Sequence, residues 1–415
     1  MRLTSKTIVF LLMVLIYFSM AFITGLNDPF SKVIQTQFSL STFQSQLGGL
    51  FFFIAYFFVG IPSSLFVDRF GYKRSIQTAM SVVVFSFVLV LLGGNFGSLV
   101  VYFSGMFTLG CAVTLLQVVV NPVIVAAGNP SGGNTRMNLG GAASSIGATL
   151  SPLIVGFIMG NVADFSSLSV SDVNPLIFCI IGIAIVVFIA ASLITFPDLN
   201  ISGGENMLSE FRSLINPKFL LGIVAIFLYV GMEVSTANIT NLFMLNELHV
   251  DPTSAGAVVG TYWIFMLVGR LVGAAVGTVI RSRTQLIIVA SVALLLYLGA
   301  IFTPLSYTLS LPALDSDFNI VMTTLPVSIA MLIAVGFCNS VMWTCVFILA
   351  TQGLGRSTNL AAGVFMMMVF GGGVIPALQG RLVDVFGSFQ PTYVVGAFCL
   401  AFILGYALFV RKSDK

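Results

Sequence analysis

The sequence predicts an all-α membrane protein in which twelve transmembrane helices form two pseudo-symmetric halves of six. The chain contains twelve apolar segments near the ~20 residues that a helix needs to cross a bilayer. Only 7% of its 415 residues are charged, 58% are apolar and 40 are glycine, which is typical of packed transmembrane helices. The predicted spans are 8–36, 43–67, 76–93, 98–126, 138–160, 175–196, 218–243, 254–279, 284–303, 327–350, 358–380 and 391–410.

The distribution of positive charge supports this count and orients the chain. With a cytoplasmic N-terminus, fourteen of the 17 Lys and Arg residues lie in cytoplasmic stretches, whereas Lys32 and Arg381 are external and Arg270 falls inside a span. Cytoplasmic loops of membrane proteins carry such an excess of Lys and Arg. We therefore expect a multi-pass protein of the cell (inner or plasma) membrane with both termini in the cytoplasm. Because topology accounts for the basic residues, no nucleic-acid partner is expected.

A polar stretch between the sixth and seventh predicted spans divides the chain almost equally. We interpret residues 1–197 as an N-terminal six-helix half, 198–217 as a cytoplasmic linker and 218–415 as a C-terminal six-helix half. An internal repeat supports this division, because a Gly, a Pro and a Gly recur at identical spacing, as Gly147, Pro152 and Gly156 and again as Gly371, Pro376 and Gly380. Duplicated halves are common in secondary transporters, which bind their substrate between the halves.

The loop after the second predicted span reads Asp68-Arg69-Phe70-Gly71-Tyr72-Lys73-Arg74. It resembles the signature loop of the major facilitator superfamily, in which Asp68, Arg69, Gly71 and Lys73 have counterparts, while Ser64 replaces the first glycine. The resemblance implies the major facilitator fold, and a conformational or gating role for those four residues. The alternative is a charged cytoplasmic turn that only fixes topology.

Six further blocks, spread over nearly the whole chain, are similar to one branch of that superfamily. They are Asn27-Asp28, Leu116-Gln117 with Asn121-Pro122, Arg136–Leu139, Tyr229–Ser235, Tyr262-Trp263 with Gly269-Arg270, and Gly336–Ser340. Together they resemble the fucose–galactose–glucose:proton symporters, bacterial transporters that take up a monosaccharide with a proton. The resemblance implies a functional carboxylate in the first span, which is Asp28 in this sequence.

At three positions the sequence departs from the fucose-type members of this family. Gln117 stands where fucose-type members carry a carboxylate, and we associate that glutamine with the glucose/galactose-type and amino-sugar branches. Gly141 and Ser144 stand where fucose-type members carry a glutamine and an asparagine. These departures indicate a chain nearer the glucose/galactose-type branch, without ranking individual sugars.

Two acidic residues, Asp28 and Glu233, fall within the predicted spans, and Arg270 is the only basic residue well inside a span, since Lys32 and Lys218 lie at span ends. A charge at the bilayer centre costs about 2.5–3.5 kcal/mol on insertion scales, so each should face a cavity or a partner. Removal from water favours the neutral form of a carboxyl group, a property that suits a proton carrier. We therefore predict proton coupling at Asp28 and Glu233. Arg270 lies in a stripe of small residues formed by Gly269, Gly273 and Gly277, which favours a structural role over holding a negatively charged substrate or pairing with an internal carboxylate.

The position of Asp28 allows two interpretations. Counted at 1.5 Å per residue from Ile8, Asp28 lies roughly 30 Å along the first helix, where Asp28-Pro29 would be an external helix end. Alternatively, a long tilted helix continues to about Phe38, is bent by Pro29, and presents Asp28 to a cavity. The family resemblance favours the second interpretation.

Amide and indole side chains form the predicted sugar-binding set. Gln117 and Asn121 are four residues apart and share a helix face, as do Asn339 and Trp343. Amides supply both donors and acceptors for sugar hydroxyls, and Trp343 or Trp263 is able to stack on a pyranose ring. The predicted substrate-binding residues are Asn27, Gln117, Asn121, Asn138, Asn339 and Trp343.

The sequence indicates no catalytic or metal site. The five cysteines lie in apolar spans without metal-ligand spacing, and no nucleophile–base motif is present. We expect a non-enzymatic, monomeric protein without a cofactor, whose partners are a sugar, a proton and the lipid bilayer. Two alternatives are a sodium-coupled symporter, with Asp28, Asn27 and backbone carbonyls holding the cation, and a transport-inactive membrane sensor. A membrane-embedded enzyme is a third alternative, which the missing nucleophile–base pair disfavours.

Overall fold

The computed structural model describes residues 5–128, 133–162, 167–194, 196, 214–276, 280–314, 319–352, 354 and 358–410. Within these ranges, twelve helices are long and apolar enough to cross a membrane, which confirms the predicted count. Most of the predicted linker, 198–213, lies outside the described residues, so the boundaries of the two halves stay a prediction.

The helix bounds follow the predicted spans closely. Spans 6 and 11 reach farther than expected, to Val170–Leu193 and Gly363–Phe386, which brings Asp172 and Asp384 into helix ends. The helices are Ser5–Gly25 and Asn27–Gln37 (span 1), Thr42–Asn95 (spans 2 and 3), Leu99–Ala126 (span 4), Gly133–Gly160 (span 5), Asn174–Leu193 (span 6), Pro217–Asn246 (span 7), Pro252–Val276 (span 8), Ser282–Phe302 (span 9), Val327–Asn339 and Met342–Thr351 (span 10), Thr358–Met367 and Gly371–Phe386 (span 11), and Val394–Phe409 (span 12).

A short β-hairpin joins spans 9 and 10, in a stretch for which no regular structure was predicted. Strands β1 (Thr308–Leu314) and β2 (Ile320–Pro326) pair antiparallel, with Thr308 opposite Pro326 and Leu314 opposite Ile320. The hairpin marks one end of the bundle, which we call the hairpin face. Because twelve crossings return the chain to its starting side, Ser5 and Val410 lie at the opposite end, which we call the terminal face.

The repeated glycines occupy equivalent places in the two halves. Gly147 of span 5 lies against the backbone of span 1, and its counterpart Gly371 lies against the backbone of span 7. Gly156 contacts span 8 of the other half, and its counterpart Gly380 contacts span 2. At each of these contacts a β-carbon would meet neighbouring atoms. The repeat therefore reflects pseudo-symmetry in which spans 1, 2 and 5 correspond to spans 7, 8 and 11.

Polar contacts join the two halves at the hairpin face. The Asp384 carboxylate of span 11 accepts hydrogen bonds from the backbone N–H groups of Thr42 (2.8 Å) and Phe43 (2.9 Å), which begin span 2. The Lys32 Nζ atom of span 1 donates to Asn246 Oδ1 of span 7 at 2.5 Å. The halves are thus held together at this face.

Several spans are interrupted near the centre of the bundle. Span 1 breaks at Leu26, because Pro29 has no N–H to donate to the carbonyl of Gly25 and its ring crowds that carbonyl. Span 10 breaks at Ser340 and Val341, and span 11 tightens into a 3₁₀ turn at Met368–Phe370. Interrupted helices supply binding sites in many transporters, since backbone groups lose their helical partners there.

Candidate functional site

A cavity of about 310 Å³ lies between the two halves. Both halves contribute to its wall, which combines apolar side chains with polar groups. The polar residues that line it are Tyr17, Thr24 and Asp28 of span 1, Tyr56 of span 2, Gln117 and Asn121 of span 4, Ser144 and Ser145 of span 5, Glu233 of span 7, and Trp263 and Arg270 of span 8.

Asp28 lies just beyond the break in span 1 and is only 2% exposed. Its carboxyl group lies within hydrogen-bonding reach of the side chain of Asn238 in span 7, and the Ser31 hydroxyl donates to its backbone carbonyl at 2.6 Å. Span 1 continues past this point to Gln37. The long, broken helix is therefore confirmed, and Asp28-Pro29 is not a helix end. The break lies three residues before Pro29, at Leu26.

Gln117 and Asn121 line the cavity side by side, as their spacing predicts. The Gln117 Nε2 atom donates to the hydroxyl of Tyr56 at 3.1 Å. The Tyr17 hydroxyl donates to Asn121 Oδ1. Two tyrosines thus hold the amides in place, and the wall presents hydroxyl and amide groups together.

Glu233 is the second carboxyl group in the cavity wall. It is half-buried, and it lies within hydrogen-bonding reach of the Tyr229 hydroxyl one turn earlier in the same helix and within electrostatic reach of Arg270. Its backbone carbonyl accepts a hydrogen bond from Tyr262 of span 8 at 3.1 Å. Both predicted intramembrane carboxyl groups therefore face one cavity.

The side chain of Arg270 lies in the cavity wall, whereas its glycine neighbours form the packing stripe. Gly269 and Gly273 do pack against the break in span 10, whereas Gly277 lies outside the described residues. Arg270 instead is exposed, lines the cavity, and donates from Nη1 to Ser145 Oγ of span 5 at 3.1 Å. It is therefore a polar cavity residue that bridges the two halves.

Asn339 and Trp343 do not line the cavity, contrary to their predicted role in direct sugar contact. Asn339 is fully buried and donates from Nδ2 to the hydroxyl of Tyr262 at 2.8 Å. The Trp343 ring packs beside Tyr229, with the ring centroids 6.4 Å apart. The prediction assumed one continuous helix face, and the break at Ser340 and Val341 interrupts that face.

Asn27 and Asn138, the other predicted substrate ligands, also lie outside the described cavity wall. Asn27 lies toward the hairpin face beside Gln46 and Gly49. Its Nδ2 atom donates to the carbonyl of Thr24 at 2.8 Å, and its buried Oδ1 atom has no partner among the described residues. The side chain of Asn138 lies outside the described part of the structure, so its role stays a prediction.

Several cavity residues were not in the predicted set, and helical periodicity identifies some of them. Thr24, Ala21 and Tyr17 precede Asp28 by four, seven and eleven residues, spacings that return to one helix face. All four line the cavity, because Leu26 at the break keeps helical backbone angles and the face continues across it. Trp263 rather than Trp343 reaches the cavity, and its buried Nε1 atom has no partner among the described residues.

The predicted gating loop joins spans 2 and 3 at the terminal face. Gly71 has a φ of 76°, a left-handed conformation that glycine adopts without strain. Lys73 Nζ donates to the carbonyl of Ser192 in span 6 at 2.5 Å, while the Arg69 guanidinium lies 5.4 Å from the Phe70 ring. The Asp68 side chain lies outside the described structure. The gating role of this loop therefore stays a prediction.

Within the described ranges, no group of three or more His, Cys, Asp or Glu side chains is placed to hold a metal ion. The site offers hydrogen-bonding amides and hydroxyls, one indole, two carboxyl groups and one guanidinium. These groups suit reversible binding of a polar solute, with protons exchanged at the carboxyl groups.

Twelve spans in two related halves around a central polar cavity define a membrane carrier of the secondary-transporter class. The family model of the Major Facilitator Superfamily matches residues 13–376, and the chain belongs to this superfamily. The predicted membership of the major facilitator superfamily is thereby confirmed, and the protein is a multi-pass membrane transporter by family.

Similar proteins cover the chain nearly end to end. A glucose/galactose transporter of Brucella abortus is 29% identical over 96% of this chain and 93% of its own length. An L-fucose-proton symporter of Escherichia coli is 23% identical over 99% and 94%. The crystal structure of FucP in the outward conformation matches with a TM-score of 0.70 at 21% identity, covering 98% of this chain and 99% of that one. A D-xylose-proton symporter structure gives 0.71 at 12% identity, covering 99% and 98%. The two structures show the fold.

Proposed function

We propose that this protein imports a hexose or related monosaccharide together with a proton, by alternating access of one central cavity. The observation that carries the proposal is the cavity itself. It lies between the halves and combines the amides of Gln117 and Asn121 with the carboxyl groups of Asp28 and Glu233. A solute site and two protonatable groups thus share a single compartment, as coupled transport requires.

The similar proteins support a sugar as the solute. The Brucella abortus relative is named a glucose/galactose transporter and the Escherichia coli relative an L-fucose-proton symporter. Gln117, which replaces the carboxylate of fucose-type members, favours the glucose/galactose-type branch. A cavity of about 310 Å³ is at the small end of the roughly 300–1,000 Å³ that ligand sites occupy, which suits a single sugar ring.

Within that cavity, we assign sugar contact to Gln117, Asn121 and Trp263. The two amides pair with hydroxyl groups of the sugar. The indole of Trp263 supplies an apolar face, and its unpartnered Nε1 atom supplies a donor. Asn138 remains a candidate at the start of span 5. Asn339 and Trp343 support the site from behind, through Tyr262 and Tyr229.

The contacts that join the halves at the hairpin face bear on the state of the transport cycle. The positive-charge distribution predicts that the terminal face is cytoplasmic, so the contacts at the hairpin face are those of a carrier that is closed toward the outside. Import requires the hairpin face to open, which separates Asp384 from span 2 and Lys32 from Asn246. We infer a monomer in the cell membrane with both termini cytoplasmic.

Sodium coupling is the second candidate. The buried Asn27 Oδ1 atom has no partner among the described residues and lies next to Asp28 in the chain. An unpartnered carbonyl oxygen near a carboxylate is a ligand set that a hard cation accepts. A transport-inactive sensor is not favoured, because the polar cavity between the halves is retained.

Uptake by purified protein in liposomes tests the proposal. Labelled glucose, galactose, mannose, fucose and N-acetylglucosamine are each offered with an inward proton gradient, with an inward sodium gradient, or with neither. We expect accumulation of at least one sugar above equilibrium only with the proton gradient. Accumulation that follows sodium alone would establish the second candidate. No uptake of any of the five sugars, in protein that exchanges no labelled sugar either, would contradict the proposal.

A further inference from the structure

The hydrogen bonds around Glu233 extend from the cavity to the break in span 10. Asn339 is the last residue of the helix Val327–Asn339, and the helix Met342–Thr351 begins after a two-residue interruption. Carbonyl groups at a helix end lack an intrahelical partner. The Asn339 carbonyl instead accepts a hydrogen bond from the Tyr229 hydroxyl of span 7, at 3.0 Å. Tyr229 thus links span 7 to the interruption in span 10.

The side chain of Glu233, one helical turn later, lies within hydrogen-bonding reach of the same hydroxyl. A tyrosine hydroxyl has one proton to donate, so it donates either to Asn339 or to Glu233. A protonated Glu233 donates its own proton to the Tyr229 oxygen and leaves the Tyr229 proton on the Asn339 carbonyl. An ionised Glu233 only accepts, and a hydrogen bond to a carboxylate is about twice as strong as a neutral one. The Tyr229 proton then turns to Glu233, and the Asn339 carbonyl loses its donor.

A second tyrosine provides an internal comparison. The Tyr262 hydroxyl donates to the backbone carbonyl of Glu233 at 3.1 Å and accepts from Asn339 Nδ2 at 2.8 Å. Neither bond involves the Glu233 carboxyl group, so both persist when Glu233 gains or loses a proton. Tyr229 and Tyr262 therefore join the same two spans, and only the bond from Tyr229 depends on protonation.

We propose that Tyr229 is a positioning residue that transmits the protonation state of Glu233 to the interruption in span 10. The proposal rests on the proposed proton coupling. When Glu233 ionises, its proton passes to water in the cavity that it lines, and the Tyr229 hydroxyl rotates without breaking a covalent bond. The buried Asn339 carbonyl is then unpaired, which is unfavourable. Span 10 is thereby biased toward a geometry in which a backbone N–H beyond the interruption satisfies that carbonyl.

Other charged and titratable groups face Glu233 or its helix. Arg270 and Tyr262 of span 8 lie within its electrostatic reach, and Asp28 lines the same cavity. Span 10 presents Asn339. Nearer the hairpin face, spans 9, 11 and 12 contact span 7 through Tyr297, Gln379 and Tyr393. Asp28 is the other carboxyl group in the cavity wall, so it is the group that requires a control variant.

The sequence provides a probe at the interruption. The chain contains 2 tryptophans, and Trp343 packs beside Tyr229. In a Trp263→Phe background, Trp343 is the sole tryptophan, and its fluorescence is followed across pH in the full chain held in lipid nanodiscs, without sugar or gradient. We expect the fluorescence of Trp343 to change with pH. This change should be lost in Glu233→Gln and in Tyr229→Phe, and it should remain in Tyr262→Phe and in Asp28→Asn. Elution as a single species on size exclusion verifies folding of each variant.

The amplitude of the pH response, not the absolute intensity, is compared, because Tyr229→Phe alters the surroundings of Trp343. A Tyr229→Phe variant that titrates like its parent would overturn the proposal, as would equal loss in Tyr262→Phe or loss in Asp28→Asn. If Tyr229→Phe does not fold, Glu233→Gln provides the test. The glutamine amide donates to the Tyr229 hydroxyl as the protonated acid does, so this variant must lose the fluorescence titration, and a retained titration would overturn the proposal. The fluorescence titration and the liposome uptake assay are separate measurements. Intact uptake by the parent without a titration of Trp343 fluorescence would contradict only the proposed role of Tyr229. A normal titration without uptake contradicts the proposed function alone.

Discussion

Gln117 lines the cavity with its side-chain nitrogen bonded to the Tyr56 hydroxyl. If it contacts the sugar, Gln117→Ala should weaken sugar binding by about 1–3 kcal/mol, the usual effect of leaving a buried partner unpaired. Isothermal titration calorimetry of the purified protein measures this. Gln77→Ala is the matched control, because Gln77 bonds Ser192 between spans 3 and 6, outside the cavity. Equal affinity in the parent and Gln117→Ala would exclude the contact.

Asp28→Asn and Glu233→Gln each remove a titratable proton from the cavity while preserving side-chain size and hydrogen bonding. The variant that removes the coupled proton should lose accumulation driven by a proton gradient but still exchange labelled for unlabelled sugar, because exchange needs no net proton movement. Below neutral pH the parent should gain uptake rate as its carboxyl group is protonated, and that variant should not.

Proteoliposome uptake and counterflow measure both properties in the same preparation. Asp172→Asn is the control, since Asp172 caps a turn at the hairpin face through Ser169, away from the cavity. Full gradient-driven accumulation by both single variants would exclude each as the sole essential proton carrier.

At the residue scale, the sequence predicts polar cavity residues better than aromatic ones. Asp28, Glu233, Gln117 and Asn121 were identifiable because a polar group inside an apolar span needs a cavity or a partner. Tyrosine and tryptophan occur on packing, lipid and cavity faces alike, so the roles of Tyr17, Tyr56 and Trp263 required the structure. Arg270 was assigned to packing because its glycine neighbours do pack, although its own side chain points elsewhere.

At the scale of elements, a helix break is predictable from the sequence where a proline or glycine marks it. Pro29 predicts the interruption of span 1, although the break appears at Leu26 because the carbonyl that loses its partner lies four residues earlier. Span 10 breaks at Ser340 and Val341, where no proline or glycine signals it. The helix face that Asn339 and Trp343 were predicted to share is therefore absent from the structure. The β-hairpin was missed for a related reason, since a short apolar stretch with Pro312 carries little strand signal.

The contact between Asp384 and the start of span 2 is the element that should control opening of the hairpin face. The carboxylate accepts two N–H groups at a helix N-terminus, where the helix dipole also favours negative charge. Asp384→Ala should therefore shift the population toward a state that is open at this face. We expect faster modification of a cysteine introduced at Gln46, which is 2% exposed beside Gly380.

Labelling with a membrane-impermeant maleimide, in a background from which the native cysteines are removed, measures the opening. Glu247→Ala is the matched control. Glu247 is also a carboxylate at this face, but it bonds Ser388 and Phe389 of its own half. Equal labelling rates in the Asp384→Ala variant and its parent would show that this contact does not hold the face closed.

At the scale of the whole molecule, composition and charge predict the architecture because the bilayer leaves few alternatives. Each span must satisfy its own backbone hydrogen bonds, so a long apolar segment is a helix. The Gly-Pro-Gly repeat predicts duplicated halves, and the structure places its glycines at equivalent contacts. The cavity between the halves is not predictable in the same way, because its wall depends on which helix faces meet in a given conformational state. Sequence therefore supplied the members of the cavity wall only in part.

The orientation of the bundle in the membrane is the remaining global property. Twelve spans place both termini at one face, so a single measurement of sidedness orients the whole chain. Reporter fusions after Arg74, Ser213 and Lys415 should be cytoplasmic and one after Ser169 external, because fourteen basic residues lie on the terminal side of the predicted topology. Green fluorescent protein, which fluoresces in the cytoplasm, and alkaline phosphatase, which is active outside it, give opposite signals at each site. Phosphatase activity at Lys415 with fluorescence at Ser169 would reverse the orientation, and the closed hairpin face would then be the cytoplasmic one.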